Sequence, residues 1–120
     1  MARKSGGFTL RLRLRIQRDD EIALGPGKVD LLEHIAATGS IAEAAKRMDM
    51  SYMRAWTLLK TMDRCFREPL VEPRRGGRRH GGTRLTKTGA AAVALYRKME
   101  ESGAMAANKS WKKLRRLLKS

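Results

Sequence analysis

The sequence predicts a mainly α-helical domain with a small β component, and three observations carry that expectation. Apolar residues recur at spacings of three and four through most of residues 26–118, one early run alternates with period two, and a Gly/Arg-rich loop separates two short β-prone segments. With 120 residues, the chain has the size of one domain around one modest core.

The elements follow in order. Phe8, Leu10, Leu12, Leu14 and Ile16 alternate with Thr9, Arg11, Arg13, Arg15 and Gln17, the pattern of a half-buried strand from Phe8 to Gln17. Its arginine face can touch phosphate, but such a face is more often wet or blunts a sheet edge. Gly25-Pro26-Gly27 breaks the chain, and Pro26 suits the first turn of a helix. Val29, Leu31, Leu32, Ile35 and Ala36 form its apolar stripe, which ends near Thr38 with Gly39 as the stop.

Ser40-Ile41-Ala42-Glu43 reads as a capping box, in which the serine hydroxyl and the glutamate each satisfy a free N–H of the first turn. A short helix follows with Ala44, Ala45 and Met48 inward. Asp49-Met50 makes a tight connection, and Ser51 caps a helix from about Tyr52 to Cys65 with Ala55, Leu58, Leu59 and Met62 on one face. Two helices joined by so short a turn, with small residues at their contact, describe a helix-turn-helix. Asp49 stands where glycine is common, and aspartate tolerates the left-handed conformation better than most residues.

Leu70-Val71-Glu72 and Thr83-Arg84-Leu85 flank the loop Pro73–Gly82 as a hairpin, which after a helix-turn-helix is a wing. Its glycines allow close approach to a groove, and Arg74, Arg75, Arg78, Arg79 and His80 supply charge for phosphate or a narrow minor groove. Thr86-Lys87-Thr88-Gly89 opens a helix that runs to about Ser102-Gly103. From Ala104 the tail repeats apolar positions at Ala107, Trp111, Leu114 and Leu118 among basic residues, an amphipathic helix whose stripe packs on the core or a dimer partner. The expected organisation is a flexible basic N-terminus at 1–7, a winged helix-turn-helix domain at 8–103 and a basic helix at 104–120.

Charge narrows the partner. Lys and Arg number 27 against 12 acids, a formal net charge of +15. Residues 1–18, 73–99 and 102–120 hold no acid at all, so the excess forms directed stretches rather than a mixed solvated surface. Double-stranded DNA is the expected partner; a sequence-neutral nucleoid or RNA-binding protein is the alternative. One cysteine excludes a disulfide framework and a cysteine-built zinc site, and the distant His34 and His80 make no ligand pair. Neither a metal nor another cofactor is expected. The carboxylate clusters do not converge on a pocket and Cys65 has no nucleophile motif, so the chain does not read as an enzyme. No apolar run reaches the about 18 residues of a membrane span, and no apolar segment follows the basic start. No membrane partner is expected, and the location expected is cytoplasmic, at the nucleoid.

With Ala55 inward, a wheel of about 100° per residue puts Met53, Thr57, Lys60 and Arg64 opposite, flanked by Arg54 and Thr61. Tyr52, Met53, Arg54 and Thr57 in the first turns are the candidate base readers: Arg54 for guanine O6 and N7, Thr57 for polar edges or a thymine methyl. Lys60 and Arg64 suit phosphates, and Ser51 divides between cap and phosphate donor. Trp56 is expected on the shoulder, packed against neighbouring elements.

These residues resemble a known family. Lys28-Val29-Asp30-Leu31-Leu32-Glu33-His34-Ile35, Thr38-Gly39-Ser40-Ile41, Ala44-Ala45-Lys46, Ser51-Tyr52 and Ala55-Trp56 look like the N-terminal domain of ModE-type molybdate-responsive transcription regulators. The strand at 70–74, the glycine-rich wing, Leu85-Thr86 and Gly89 also fit, and the LysR-type winged helix shares the Ser40, Ala44-Ala45 and Ser51 skeleton. The resemblance covers about residues 8–100. It implies a homodimer on palindromic DNA, with the N-terminal strand and the helix after the wing forming the dimer. It also carries Ser51, Tyr52 and the helix through Thr61 over as recognition element, and the 74–82 loop as wing. The resemblance implies a C-terminal molybdate-binding region in relatives of that type, and such a region is not expected within these 120 residues. Direct molybdate binding is therefore not expected, although an arginine-rich wing can hold oxyanions weakly.

Overall fold

The computed structural model describes residues 7–74 and 82–119. Two short strands, β1 (Ile16–Arg18) and β2 (Glu21–Leu24), form an antiparallel hairpin ahead of α1 (Pro26–Thr38). Next come α2 (Ile41–Arg47) and α3 (Tyr52–Cys65), then a second antiparallel pair, β3 (Val71–Arg74) and β4 (Gly82–Leu85), and a long α4 (Lys87–Arg115). The winged helix-turn-helix arrangement is the one the hydrophobic spacing predicts.

The helices stop and start where local chemistry dictates. Pro26 opens α1 behind Gly25, and Gly39 closes it with φ of +74° and its N–H on the Ile35 carbonyl at 2.7 Å. Ser40 caps α2 by accepting the Glu43 N–H at 3.0 Å. The capping box is only half made: the Ser40 N–H donates to Thr38 Oγ1 at 3.2 Å, and Glu43 turns to Lys46 at 3.8 Å. Thr86 caps α4 by accepting the Gly89 N–H, while its own hydroxyl donates to the Pro69 carbonyl at 2.7 Å.

The core lies between α1, α2, α3 and the first half of α4. Leu31, Leu32 and Ile35 of α1 are wholly buried against Ala44 and Ala45 of α2 and Ala55, Leu59 and Met62 of α3. Leu70 and Tyr96 close the other side. Ala36, expected in the α1 stripe, is exposed instead. The buried Tyr96 donates its hydroxyl to the Leu14 carbonyl at 2.8 Å, which ties the N-terminal segment to α4; burial pushes its phenol up from the ordinary value.

Two elements differ from the sequence expectation. The period-two run does not form a strand from Phe8 to Gln17: only Ile16–Arg18 pairs, with a β2 that the acidic turn at Asp19-Asp20 had obscured. Alternation defines two faces, but a strand also needs a ladder partner, and residues 7–15 have none among the described residues. Their apolar side leans on α4 instead, where Gly103 faces Leu12. The second difference is that α4 continues through Gly103 to Arg115 without a break. Glycine stops a helix by entering the left-handed region, and among the described glycines only Gly39 does so. No helix among the described residues is long and apolar enough to cross a membrane.

Helices α1 and α4 are clamped by one guanidinium. Arg97 grips Glu33 with two bonds, at 2.6 and 3.0 Å, and reaches Asp30 and Glu100 at 2.9 Å each. The Glu33 carboxyl is held below its usual 4.5, first by the hydrogen bond from Arg97. A carboxyl lowered in the folded state adds stability above its unfolded pKa, and that stability is lost as pH falls through the folded value. Thermal melts should therefore lose stability progressively below about pH 4.5, the reference value for Glu33. Arg97→Ala should lose about 1 kcal/mol at neutral pH, a value discounted for solvent screening, and show a flatter acid limb. An unchanged acid limb in the variant would show that the clamp does not contribute.

Candidate nucleic-acid interface

The helix-turn-helix is positioned by small residues and a strained turn. Ala44, Ala45 and Ala55 are almost completely buried, so α2 and α3 approach closely across them. The turn closes through the N–H groups of Met48 and Met50, both on the Ala45 carbonyl at 3.0 Å. Asp49 sits at φ of +56°, the left-handed conformation its residue type was expected to supply. Ser51 then starts α3 by accepting the Arg54 N–H at 3.0 Å.

With Ala55, Leu59 and Met62 inward, α3 turns its opposite face to solvent. Tyr52 is 49% exposed and Met53 62%, and Ser51, Arg54, Thr57 and Lys60 share that surface. None of these six is acidic. Trp56 is not packed into a shoulder: it is 42% exposed, and Lys60 Nζ stands 5.1 Å from its ring centroid. That cation–π contact holds the Lys60 ammonium on the outer surface.

The far end of the helix differs. Thr61 is half-buried and donates its hydroxyl to the Thr57 carbonyl at 3.0 Å. Arg64, grouped by the wheel with the phosphate contacts, binds Glu21 of β2 at 2.6 Å, and its carbonyl accepts from Arg18 at 3.2 Å. Arg64, with Cys65, holds the Glu21 carboxyl below its usual range. The exposed cationic surface thus gathers at the first half of α3, while Arg64 ties the helix to the hairpin before α1.

At the base of the wing, the Arg74 guanidinium lies over Gly39, at the C-terminal end of α1. A cation there is favoured by the carbonyl-rich helix end. Arg75, Arg78, Arg79 and His80 lie outside the described residues. Glu72 and Arg84, paired across the strands at 3.0 Å, tie β3 to β4.

Two cations that the sequence left to solvent stand beside the first half of α3. Arg13 and Arg15, from the segment before β1, share with Arg54 the rim of a cleft of about 350 Å³ floored by Ile22 and Leu58. The only signal in the sequence is the arginine face of the alternating run. Lys28, also at this cleft, is buried, with its ammonium on the Ile22 carbonyl, and burial pulls its pKa down.

Residues 27–90 match the family described as bacterial regulatory helix-turn-helix proteins, lysR family. The chain is 43% identical over 88 residues to the molybdenum transport protein ModE of Azotobacter vinelandii, covering 73% of this chain and 33% of that protein. It is 39% identical over 87 residues to the molybdenum-pterin-binding protein MopA of Rhodobacter capsulatus, covering 72% and 33%. The DNA-binding transcriptional dual regulator ModE of Escherichia coli (strain K12) is 36% identical over 89 residues, covering 74% and 32%. The chain thus spans about a third of the length of the curated relatives it matches. Among solved structures, the CbnR DBD–DNA complex shares the fold with a TM-score of 0.57 at 23% identity, covering 73% of this chain and 95% of that one.

The double position of Ser51, as helix cap and on the exposed face, gives a separable test. Ser51→Ala removes the acceptor for the Arg54 N–H and should cost about 1 kcal/mol in urea unfolding. Ser51→Asp keeps a capping acceptor, so it should hold stability near that of the parent yet weaken binding to duplex DNA by adding an anion at the surface. Equal DNA affinity for Ser51→Asp and the parent would remove Ser51 from the interface.

Proposed function

The chain belongs to the lysR family of bacterial regulatory helix-turn-helix proteins, and from that membership we propose that it is a sequence-specific, DNA-binding transcription regulator acting as a homodimer on a palindromic operator. The observation that carries this reading is the solvent-facing surface of α3, where Ser51, Tyr52, Met53, Arg54, Thr57 and Lys60 stand together without a carboxylate. A helix of this width enters the major groove, and residues in its first turns meet base edges. Arg54 is assigned to guanine, Thr57 and Met53 to thymine methyls or polar edges, and Lys60 to a backbone phosphate. Arg74, Arg75, Arg78, Arg79 and His80 are assigned to the wing contact along the flanking groove.

The homodimer is supported by two apolar surfaces. Residues 7–15 have no ladder partner among the described residues, with Phe8 49% exposed, and α4 exposes Leu95, Met99, Met105 and Leu114. Both would be covered by a second copy, and the two-fold axis so created matches a palindromic site. The names of two of these relatives refer to molybdenum and that of the third to DNA binding; the segment shared with them is the one assigned here to DNA.

Selection of bound duplexes from a random pool at physiological salt should return a palindromic consensus. Arg54→Ala should then lose about 1–3 kcal/mol on that consensus and much less on scrambled DNA. Absence of enrichment, or an equal loss on both duplexes, would instead favour a protein that binds nucleic acid by charge alone.

A further inference from the structure

The cleft beside α3 has a composition that its neighbours do not neutralise. Arg13 and Arg15 come from the segment before β1 and Arg54 from the first turn of α3, so three arginines from two distant parts of the chain line one hollow. Among the described residues none of the three has a carboxylate within ion-pair distance, whereas Arg18, Arg64, Arg84 and Arg97 all do. Arg15 is placed by packing: its stem passes over Gly25, where an added Cβ would stand 3.5 Å from Arg15 Cγ. The first turn of α1 opens onto the same hollow and carries no acidic residue.

Arg13 and Arg15, which line the hollow without a counter-charge, gain most from an anion that reaches both. The hollow lies at the end of α3 that presents Tyr52, Met53 and Arg54, so the anion nearest to hand is the duplex that α3 itself would engage. We propose that this cleft seats a backbone phosphodiester bordering the major groove, which makes the segment before β1 a third DNA-contacting element beside α3 and the wing. The inference rests on the DNA-binding reading above. It assigns Arg13 and Arg15 to affinity rather than to base reading, because a phosphate contact positions the protein without reporting sequence.

The test uses the full chain and the salt dependence of binding. In Arg13→Gln/Arg15→Gln, log K should fall less steeply with log salt, by about 1.8 for the two phosphates lost, one at each protomer of the dimer. The affinity should drop by the same factor on the selected consensus and on scrambled duplex. Lys109→Gln/Lys112→Gln removes two charges from the exposed side of α4 and should leave the slope as in the parent. Unfolding midpoints equal to the parent show that the arginine variant is folded. A parental slope in that variant, an equal slope change in the α4 control, or a loss confined to the consensus would each overturn the proposal. Failure of the DNA-binding reading is distinguishable, because it appears in the parent protein as absence of duplex binding before any arginine is changed.

Discussion

Three parts of the molecule meet at Gly39, and their arrangement depends on its missing side chain. In the left-handed conformation its N–H closes α1, and the chain turns directly into the Ser40 cap of α2. Its carbonyl accepts the Thr83 N–H at 2.9 Å, which binds β4 to the end of α1. Arg74 and Gly82 crowd the same spot, and a Cβ on Gly82 would run into the Gly39 carbonyl. The end of the first helix, the start of the helix-turn-helix and the base of the wing are therefore set by one backbone geometry. A second junction repeats the logic at the other strand: the Leu70 carbonyl accepts the Thr86 N–H, and Gly89 lies against that carbonyl with no room for a side chain.

Five of the twelve acids of this basic protein form the ion pairs that join or brace its elements. Glu21 links the first hairpin to α3, Glu72 links β3 to β4, and Asp30, Glu33 and Glu100 converge on Arg97. Exposed pairs of this kind contribute little singly. Their effect on the charge pattern is larger, because each one cancels a cation outside the first half of α3. Among the described residues Arg13, Arg15, Arg54 and Lys60 make no such pair, and cations left free beside α3 steer association as well as strengthening it.

Most of the fold was legible because its signals are local. Caps at Ser40, Ser51 and Thr86, the stop at Gly39 and the left-handed Asp49 each depend on a few adjacent residues, and each stands where those residues placed it. The inward face of α3 followed from spacing alone. The misreadings share a different cause, which is a partner distant in sequence. The early alternating run lacked a ladder, and β2 was hidden until its pairing with Ile16–Arg18 was known. Arg64 looked free until Glu21, 43 residues away, came beside it. Gly103 read as a stop because nothing in its neighbourhood announces that Leu12 packs there. The arginine face at 11–15 was visible throughout, but its nearness to Arg54 exists only in three dimensions.

The length of α4 has a mechanical meaning. Its 29 residues form one continuous rod, anchored to the body near Tyr96 and Arg97 by a hydroxyl on Leu14 and a guanidinium on α1. From Arg97 to Arg115 the rod extends about 27 Å at 1.5 Å per residue. A tilt of about 5° at the anchor thus displaces the far end by about 2.4 Å, and a push of that size at the far end returns the same small rotation to the body. The helix is in this sense a lever with its fulcrum at Arg97, and its short arm lies against the helix that carries the core.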